Sequence, residues 1–274
     1  MILVTGATGT TGSEVVKQLL DTGEKVRAMS RRDTAIHGVE VVKADFDDPE
    51  SLGRAVDGVT AVYLVTAPAK PIVDHDVALV EAAKTAGVQR IVKLSAISGD
   101  EPGSWHLRSE QPTRDSGLGW TILRPGTFAS NMMRYAPMIK AGVPLQNWTK
   151  GGAVGVIDPR DIAAVAVRAL TTDEHSGREY VLTGPELMTF IQQVAVLELV
   201  LGTRIATEET SIDAAREAML NHGMHPDSAD EAVAGMTRLA EGKYAVLTEH
   251  VAQILGRAPI GFTTWANDHR AAFR

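Results

Sequence analysis

Gly6, Gly9 and Gly12 stand three residues apart near the start of the 274-residue chain. The apolar run Ile2-Leu3-Val4 precedes them, and Ser13 to Asp21 follows with Val15, Val16, Leu19 and Leu20 at helical spacing. Strand, glycine turn and helix in this order make a cradle for a dinucleotide pyrophosphate. Gly6 permits a turn that a Cβ obstructs, Gly9 lets the backbone approach the phosphates, and Gly12 lets the helix pack closely on the strand. Thr8, Thr10 and Thr11 line the same turn, and the free N–H groups of the helix face the anion. Arg31 and Arg32 follow a second strand, Lys25 to Ser30. A carboxylate there would bind the ribose 2′-hydroxyl of NAD and repel a 2′-phosphate, whereas two guanidinium groups can pair with that phosphate and stack on adenine. The expected cofactor is therefore NADP(H); the competing reading is a solvated turn.

The elements that must position these groups alternate along the first part of the chain. Val39 to Ala44 reads as the third strand and ends in Asp45-Phe46, where Asp45 could accept the adenine amino group while Phe46 lines the ring. Helix capping by the acidic run Asp45-Phe-Asp-Asp48 explains the same residues equally well. Pro49 to Val56 is a short helix, and Ala61 to Val65 the fourth strand, with Thr66 and Ala67 passing close to the cofactor. Asp74 to Ala86 is helical. Arg90 to Ser95 is the fifth strand, setting Ser95, which is assigned to the cofactor site as well as to catalysis, and Ser98 at the carboxyl edge where the nicotinamide is expected. Trp120 to Leu123 is the sixth, followed by Arg124, Pro125 and Gly126, the last two assigned to the cofactor site. After a short strand from Gly151, Asp161 is expected to cap a helix over Ile162 to Leu170, and Arg178 to Thr183 adds another strand. This alternation predicts an α/β fold with a doubly wound parallel sheet of the Rossmann type.

From about residue 187 the pattern turns helical, over Leu187 to Leu201, Ile212 to Asn221, Asp227 to Glu241 and Thr263 to Phe273. The expected organisation is a NAD(P)-binding core over residues 1–150. The last sheet strands and a smaller, mainly helical substrate lobe occupy 151–274, intertwined with the core as one unit. Lys and Arg number 27 against 34 Asp and Glu, a formal charge of −7, which disfavours nucleic acid as a partner. No cysteine is present, so disulfides, thiolate nucleophiles and cysteine-ligated metals are excluded. The chain has no apolar stretch of membrane-spanning length, and Met1 runs straight into the first strand. A cytoplasmic protein, without a metal and compatible with a homodimer, is expected.

With Gly6-x-x-Gly9-x-x-Gly12, Arg31-Arg32, Ser95-Ala-Ile-Ser98, Ser116-Gly-Leu118, Thr121-Ile-Leu-Arg-Pro-Gly126, Asn131 and the closing Trp265-Ala-Asn-Asp-His-Arg-Ala-Ala-Phe273, the chain resembles the NmrA-like atypical short-chain dehydrogenases/reductases. The resemblance implies a Rossmann core with a C-terminal substrate lobe, found in reductases of quinones and other small molecules and in non-catalytic redox sensors. Short-chain dehydrogenases normally carry Tyr-x-x-x-Lys, whose phenol protonates the developing alkoxide. That pair is missing: Tyr63, Tyr135, Tyr180 and Tyr244 are followed four positions on by Ala67, Ile139, Gly184 and Thr248. Where the dyad would fall stand His106 and Glu110, four apart on one helical face. They resemble the His-x-x-x-Glu of quinone-reducing members, and an ordinary polar helix face is the alternative. Ser95, His106 and Glu110 are the catalytic candidates. Pro112 is expected to kink or restart the helix that carries the last two. Phe128, Asn131, Met132 and Trp148 are the candidate substrate wall, with plain core as the other reading of the apolar ones.

The expected function is hydride transfer from NADPH to an electron-poor small molecule such as a quinone or polycyclic aromatic polyketide, whose reduced anion needs little help from an acid. The alternatives are a dinucleotide-binding sensor without turnover, or the reducing half of a polyketide-tailoring hydroxylation system.

Overall fold

The structure is a computed structural model that describes residues 1–32, 34–66, 72–100 and 104–274. Its strands in chain order are β1 (Ile2–Val4), β2 (Val26–Ser30), β3 (Glu40–Lys43), β4 (Ala61–Leu64), β5 (Arg90–Leu94), β6 (Gly119–Pro125), β7 (Thr127–Phe128), β8 (Leu145–Asn147), β9 (Ala153–Ile157), β10 (Arg178–Leu182), β11 (Leu187–Thr189) and β12 (Thr207–Glu209). The α-helices are α1 (Gly12–Asp21), α2 (Pro49–Val56), α3 (Ile72–Thr85), α4 (Trp105–Arg114), α5 (Ala136–Ala141), α6 (Pro159–Thr171), α7 (Phe190–Leu201), α8 (Ile212–Asn221), α9 (Pro226–Ala240), α10 (His250–Leu255) and α11 (Phe262–Asp268). They divide into two compact units, one of Met1–Pro125 with Pro159–Leu182, the other of Gly126–Asp158 with Thr183–Arg274.

The first unit is built on a seven-stranded sheet in the order β10-β6-β5-β4-β1-β2-β3. Every pairing in it is parallel. Such a sheet needs helices on both faces, which is why its inner strands are apolar throughout rather than alternating. Leu3, Val62, Leu64 and Ile91 pack on one face against Leu52, Ala55 and Val56 of α2 and Leu79, Val80 and Ala83 of α3. Each fully buried Leu, Ile or Val among them contributes about 1.5–3 kcal/mol over its exposed state. On the other face α6 packs against α1, and Gln18 of α1 donates from Nε2 to the Arg160 carbonyl at 3.0 Å. Proceeding outward from β1, β4 follows on one side and β2 on the other, so the order reverses beside the first strand. Ligands of open α/β sheets bind at the carboxyl ends around such a switch point.

The second unit holds the three-stranded sheet β11-β9-β7 and the parallel pair β8 and β12. Its aromatic centre is Trp265, 5.4 Å from Phe262, 4.7 Å from His269 and 6.2 Å from Phe273 between ring centroids.

Three local expectations are corrected. Leu187 to Leu201 is a strand followed by a helix, because Thr189 forms a capping box. Its hydroxyl accepts from the Gln192 N–H at 3.2 Å, and its own N–H donates to the Gln192 side chain at 2.8 Å. Helix α6 starts at Pro159, which places Asp161 inside its first turn rather than at the cap. Pro112 neither ends nor restarts α4: it sits in the last turn, where its missing N–H costs a single intrahelical bond.

A glycine cradle and a buried ionic cluster at the sheet's carboxyl edge

The end of β1 is clamped to β4 by Thr5. Its N–H donates to the Tyr63 carbonyl at 3.0 Å, and its hydroxyl donates to the Val65 carbonyl at 3.0 Å while accepting from the Val65 N–H at 2.7 Å. From this anchor the chain turns through Gly6 at φ +58°, a left-handed conformation that favours glycine. The Gly9 N–H closes the turn on the Gly6 carbonyl at 2.8 Å. A Cβ on Gly12 would run into that carbonyl and come within 2.6 Å of its carbon, so only glycine lets α1 start here. Gly6, Thr8, Gly9 and Thr10 are exposed, and the buried side of the turn is Thr11 and Gly12.

Thr11 departs from its expected place among the cofactor-facing residues. It stands at the N-cap position of α1 without a capping hydrogen bond, and it is buried beside the Tyr63 phenol. Burial pushes that phenol well above its usual pKa, so Tyr63 stays protonated. No side chain caps α1; within its first turn the Ser13 N–H donates to the Gly9 carbonyl at 3.0 Å, and the helix N-terminus is otherwise of the kind that receives an anion. An exposed turn in which glycine is obligatory, leading into an uncapped helix, fits a dinucleotide pyrophosphate.

Further along the same edge, Arg31 and Arg32 are exposed just past β2, in a turn where Ser30 Oγ accepts from the Arg32 N–H at 3.1 Å. Asp45 and Phe46 are half-buried. The Asp45 carboxylate accepts from the Asp47 N–H at 3.2 Å, and Asp48 caps α2 through the N–H groups of Glu50 and Ser51, so this acidic run does local structural work. Phe46 stacks on His75 at 5.2 Å. Thr66 donates from its hydroxyl to Asp76 Oδ1 at 3.1 Å. Ala67 lies outside the described residues.

Beneath the end of β5 lie two buried polar groups. Lys93, only 1% exposed, pairs with the fully buried Asp76 of α3 at 2.8 Å. Burial raises the Asp76 pKa against the opposing influence of Lys93, Ser109 and Thr66. Two residues on, Ser95 points to the same side of the strand and donates from Oγ to Glu110 Oε1 at 2.5 Å. Glu110 is fully buried and accepts three more bonds: from Arg124 Nε at 2.9 Å, from an Arg124 terminal nitrogen at 2.7 Å, and from Arg114 at 2.7 Å. Both arginines also reach Glu179 of β10. Burial works against the Glu110 charge, but the bonds from Arg124 and Ser95 and the two guanidinium charges outweigh it, holding the carboxyl below its usual range. Gly99 closes over the cluster, where a Cβ would strike Glu110 and lie 2.6 Å from Arg124 Nε.

His106, one helical turn from Glu110, stacks on Trp105 at 3.5 Å between centroids. Burial first, and then the Lys93 charge, lower its pKa to about 4 despite the opposing pull of Glu110. The imidazole is therefore neutral at pH 7. The structure thus joins Ser95 to Glu110 directly and leaves His106 beside them as a neutral ring.

Pro125 is buried at the end of β6. Gly126 begins the second unit, where a Cβ would strike the Gly155 carbonyl of β9; its lack of a side chain serves the β7–β9 pairing. Phe128 and Trp148 are half-buried and Asn131 is exposed. Met132 departs from the expected substrate wall: at 2% exposure it is core of its unit. Sequence reasoning missed Lys93, Asp76, Arg114 and Glu179. One signal was present, a lysine in the otherwise apolar strand Arg90-Ile-Val-Lys-Leu94, since a charge in a strand covered on both faces must find a buried partner.

Cradle, switch point and exposed arginines define a nucleotide-binding Rossmann protein. Residues 6–173 match the family model described as NAD(P)H-binding, and the chain belongs to that family. It is 40% identical to the (4-alkanoyl-5-oxo-2,5-dihydrofuran-3-yl)methyl phosphate reductase of Streptomyces griseus subsp. griseus, over 100% of this chain and 99% of the relative. Identity is 35% to the NAD(P)H azoreductase of Xenophilus azovorans, with 100% and 99% covered. Among solved structures, the NADPH-dependent quinone oxidoreductase of Escherichia coli in complex with NADPH superposes with a TM-score of 0.86 at 24% identity, over 98% of this chain and 99% of that one. The chain is an NAD(P)H-dependent oxidoreductase of the NmrA-like, atypical short-chain dehydrogenase/reductase type. No helix among the described residues is long and apolar enough to cross a membrane.

Proposed function

We propose that this oxidoreductase reduces a conjugated, electron-poor small molecule, such as a quinone or an unsaturated carbonyl compound, with NADPH as hydride donor and without a strong acid from the protein. The observation that carries this reading is the state of the three candidate donors at the end of β5. Glu110 is an anion with four bonds received, Ser95 has committed its proton to Glu110, and His106 is neutral. A simple ketone reduced to an alkoxide needs a positioned acid, whereas a quinone or enone gives a delocalised anion that water can protonate. The names of the relatives agree in chemistry: an acyl-substituted dihydrofuranone, an azo compound and a quinone are all electron-poor π systems.

In this reading Gly6, Thr8, Gly9 and Thr10 receive the pyrophosphate, Arg31 and Arg32 the 2′-phosphate, and Phe46 the adenine side. Phe128, Asn131 and Trp148 are the substrate-lining residues of the second unit. The test is the decay of NADPH absorbance with a panel of quinones, enones, unsaturated lactones and simple ketones. Turnover is expected with the first three classes and not with ketones. Tight NADPH binding without turnover of any acceptor would instead make the protein a dinucleotide sensor.

A further inference from the structure

Ser95 is held in a way that fixes the direction of its hydrogen bonding. A hydroxyl has one proton and two lone pairs. The proton lies on Glu110 Oε1 at 2.5 Å, the short distance of an O–H bound to an anion. Glu110 has nothing to give back, because a carboxylate only accepts and its remaining positions are filled by Arg124 and Arg114. If Ser95 turned its proton elsewhere, two oxygens would face each other across that distance inside a buried site. The Ser95 backbone cannot retreat either, since its N–H is bonded to the Leu123 carbonyl of β6 at 2.7 Å and Gly99 closes the other side. Ser95 keeps 8% of its surface exposed, so the residue is not fully sealed from the carboxyl edge.

Toward any ligand at this edge, then, Ser95 offers a lone pair and no proton. A carbonyl or phenolate oxygen is repelled there, and an N–H or O–H group is welcomed. The end of β5 lies two strands, about 10 Å, from the glycine cradle at the end of β1, on the path that a dinucleotide follows along the carboxyl edge. We propose that Ser95 is a positioning residue that accepts a hydrogen bond from a ligand donor, namely the carboxamide N–H₂ of the bound nicotinamide, and does not donate to the substrate oxygen. The inference rests on the NADPH reading above. It assigns the cluster of Glu110, Arg124 and Arg114 the task of setting the polarity of one hydroxyl.

The experiment compares the binding of NADPH with that of its 3-acetylpyridine analogue, in which a methyl ketone replaces the carboxamide, in the absence of substrate. Wild type should bind NADPH about 2- to 13-fold more tightly, the range for one hydrogen bond. Ser95→Ala should erase most of that preference and leave the affinity for the analogue nearly unchanged. Equal affinities in wild type would overturn the inference, as would a preference that survives Ser95→Ala. A raised KM for the acceptor in Ser95→Ala with cofactor discrimination intact would also overturn it, and would assign the hydroxyl to the substrate, whether as donor or as acceptor. Failure of wild type to bind either dinucleotide would sink the NADPH reading itself, a result separate from these.

Discussion

Arg124 of β6 grips both oxygens of Glu110 of α4, with Nε on Oε1 at 2.9 Å and a terminal nitrogen on Oε2 at 2.7 Å, in a place where the carboxylate has no exposure. This bidentate pair ties the helix carrying His106 to the strand next to the one that ends in Ser95. Arg124→Met should destabilise the protein by about 3–5 kcal/mol, because it strips a buried carboxylate of its main partner. The pH dependence follows from the lowered Glu110 pKa. The contribution of the charged form is complete above the unfolded-state value of about 4.3 and is lost as pH falls through the lower folded-state value. Thermal unfolding followed between pH 3 and 7 should show a steep acid limb in wild type and a shallower one in Glu110→Gln. Matching acid limbs in the two proteins would contradict the assignment.

Two glycines of the cradle should fail in different ways. A Cβ on Gly9 lies 3.1 Å from the Gly6 carbonyl, a tight contact that small shifts relieve, whereas one on Gly12 overlaps backbone. Gly9→Val should therefore fold and lose NADPH binding, and Gly12→Ala should lose thermal stability before binding can be asked about. Arg31→Ala and Arg32→Ala should fold normally and weaken NADPH by roughly tenfold each, at the low end for a charged hydrogen bond because both sites are exposed, while leaving NADH unchanged. Titration of both cofactors into the four variants, with a melting curve for each, checks all of this. Equal NADPH and NADH affinities in wild type would remove the 2′-phosphate role.

The fold was legible where local rules and tertiary needs coincide. Ile2-Leu3-Val4 and Ala61-Val-Tyr-Leu64 could only be strands buried on both faces, and the glycine spacing announced the turn between β1 and α1. The site was legible in its residue types and much less so in its connections. His106 and Glu110 look like partners from their spacing of four, yet the carboxylate is spent on Ser95 and Arg124, from two other stretches of chain, and on Arg114, four residues further along α4. Helical spacing encodes the Arg114 contact, but no periodicity encodes those with Ser95 and Arg124, which depend on how α4 lies across β5 and β6. The same limit applies to Gly126. Its place after the sixth strand suggests a bare approach to nicotinamide, so Gly126→Leu looks like a test of that approach, but the missing Cβ faces Gly155, and the change would break a strand pair instead.

Lys93 offers the most direct test of how the buried charges set the chemistry. It pairs with Asp76 and also depresses the His106 pKa, the larger cause of that depression being burial. Lys93→Met alone leaves Asp76 buried without its partner and should cost about 3–5 kcal/mol; Lys93→Met with Asp76→Asn should recover much of the loss. In the double variant His106, now opposed only by burial and still favoured by Glu110, should titrate above its wild-type value of about 4. For a histidine whose folded-state pKa lies below its unfolded-state value of about 6.5, stability falls as pH drops from that value to the folded one and then levels. The double variant should level at a higher pH. If the imidazole supplies no proton in wild type, single-turnover hydride transfer to a quinone should be flat from about pH 5.5 to 8.5, and His106→Ala should cost at most tens of fold, below the roughly 10²–10⁴ of a general acid. Proton NMR of the His106 ring across pH, beside those single-turnover rates, checks both halves. A His106 titration that the double variant does not move would remove Lys93 as a cause of the depression, whereas a His106→Ala loss above about 10³-fold with NADPH affinity intact would show that the ring is a working acid and return ketones to the substrate range.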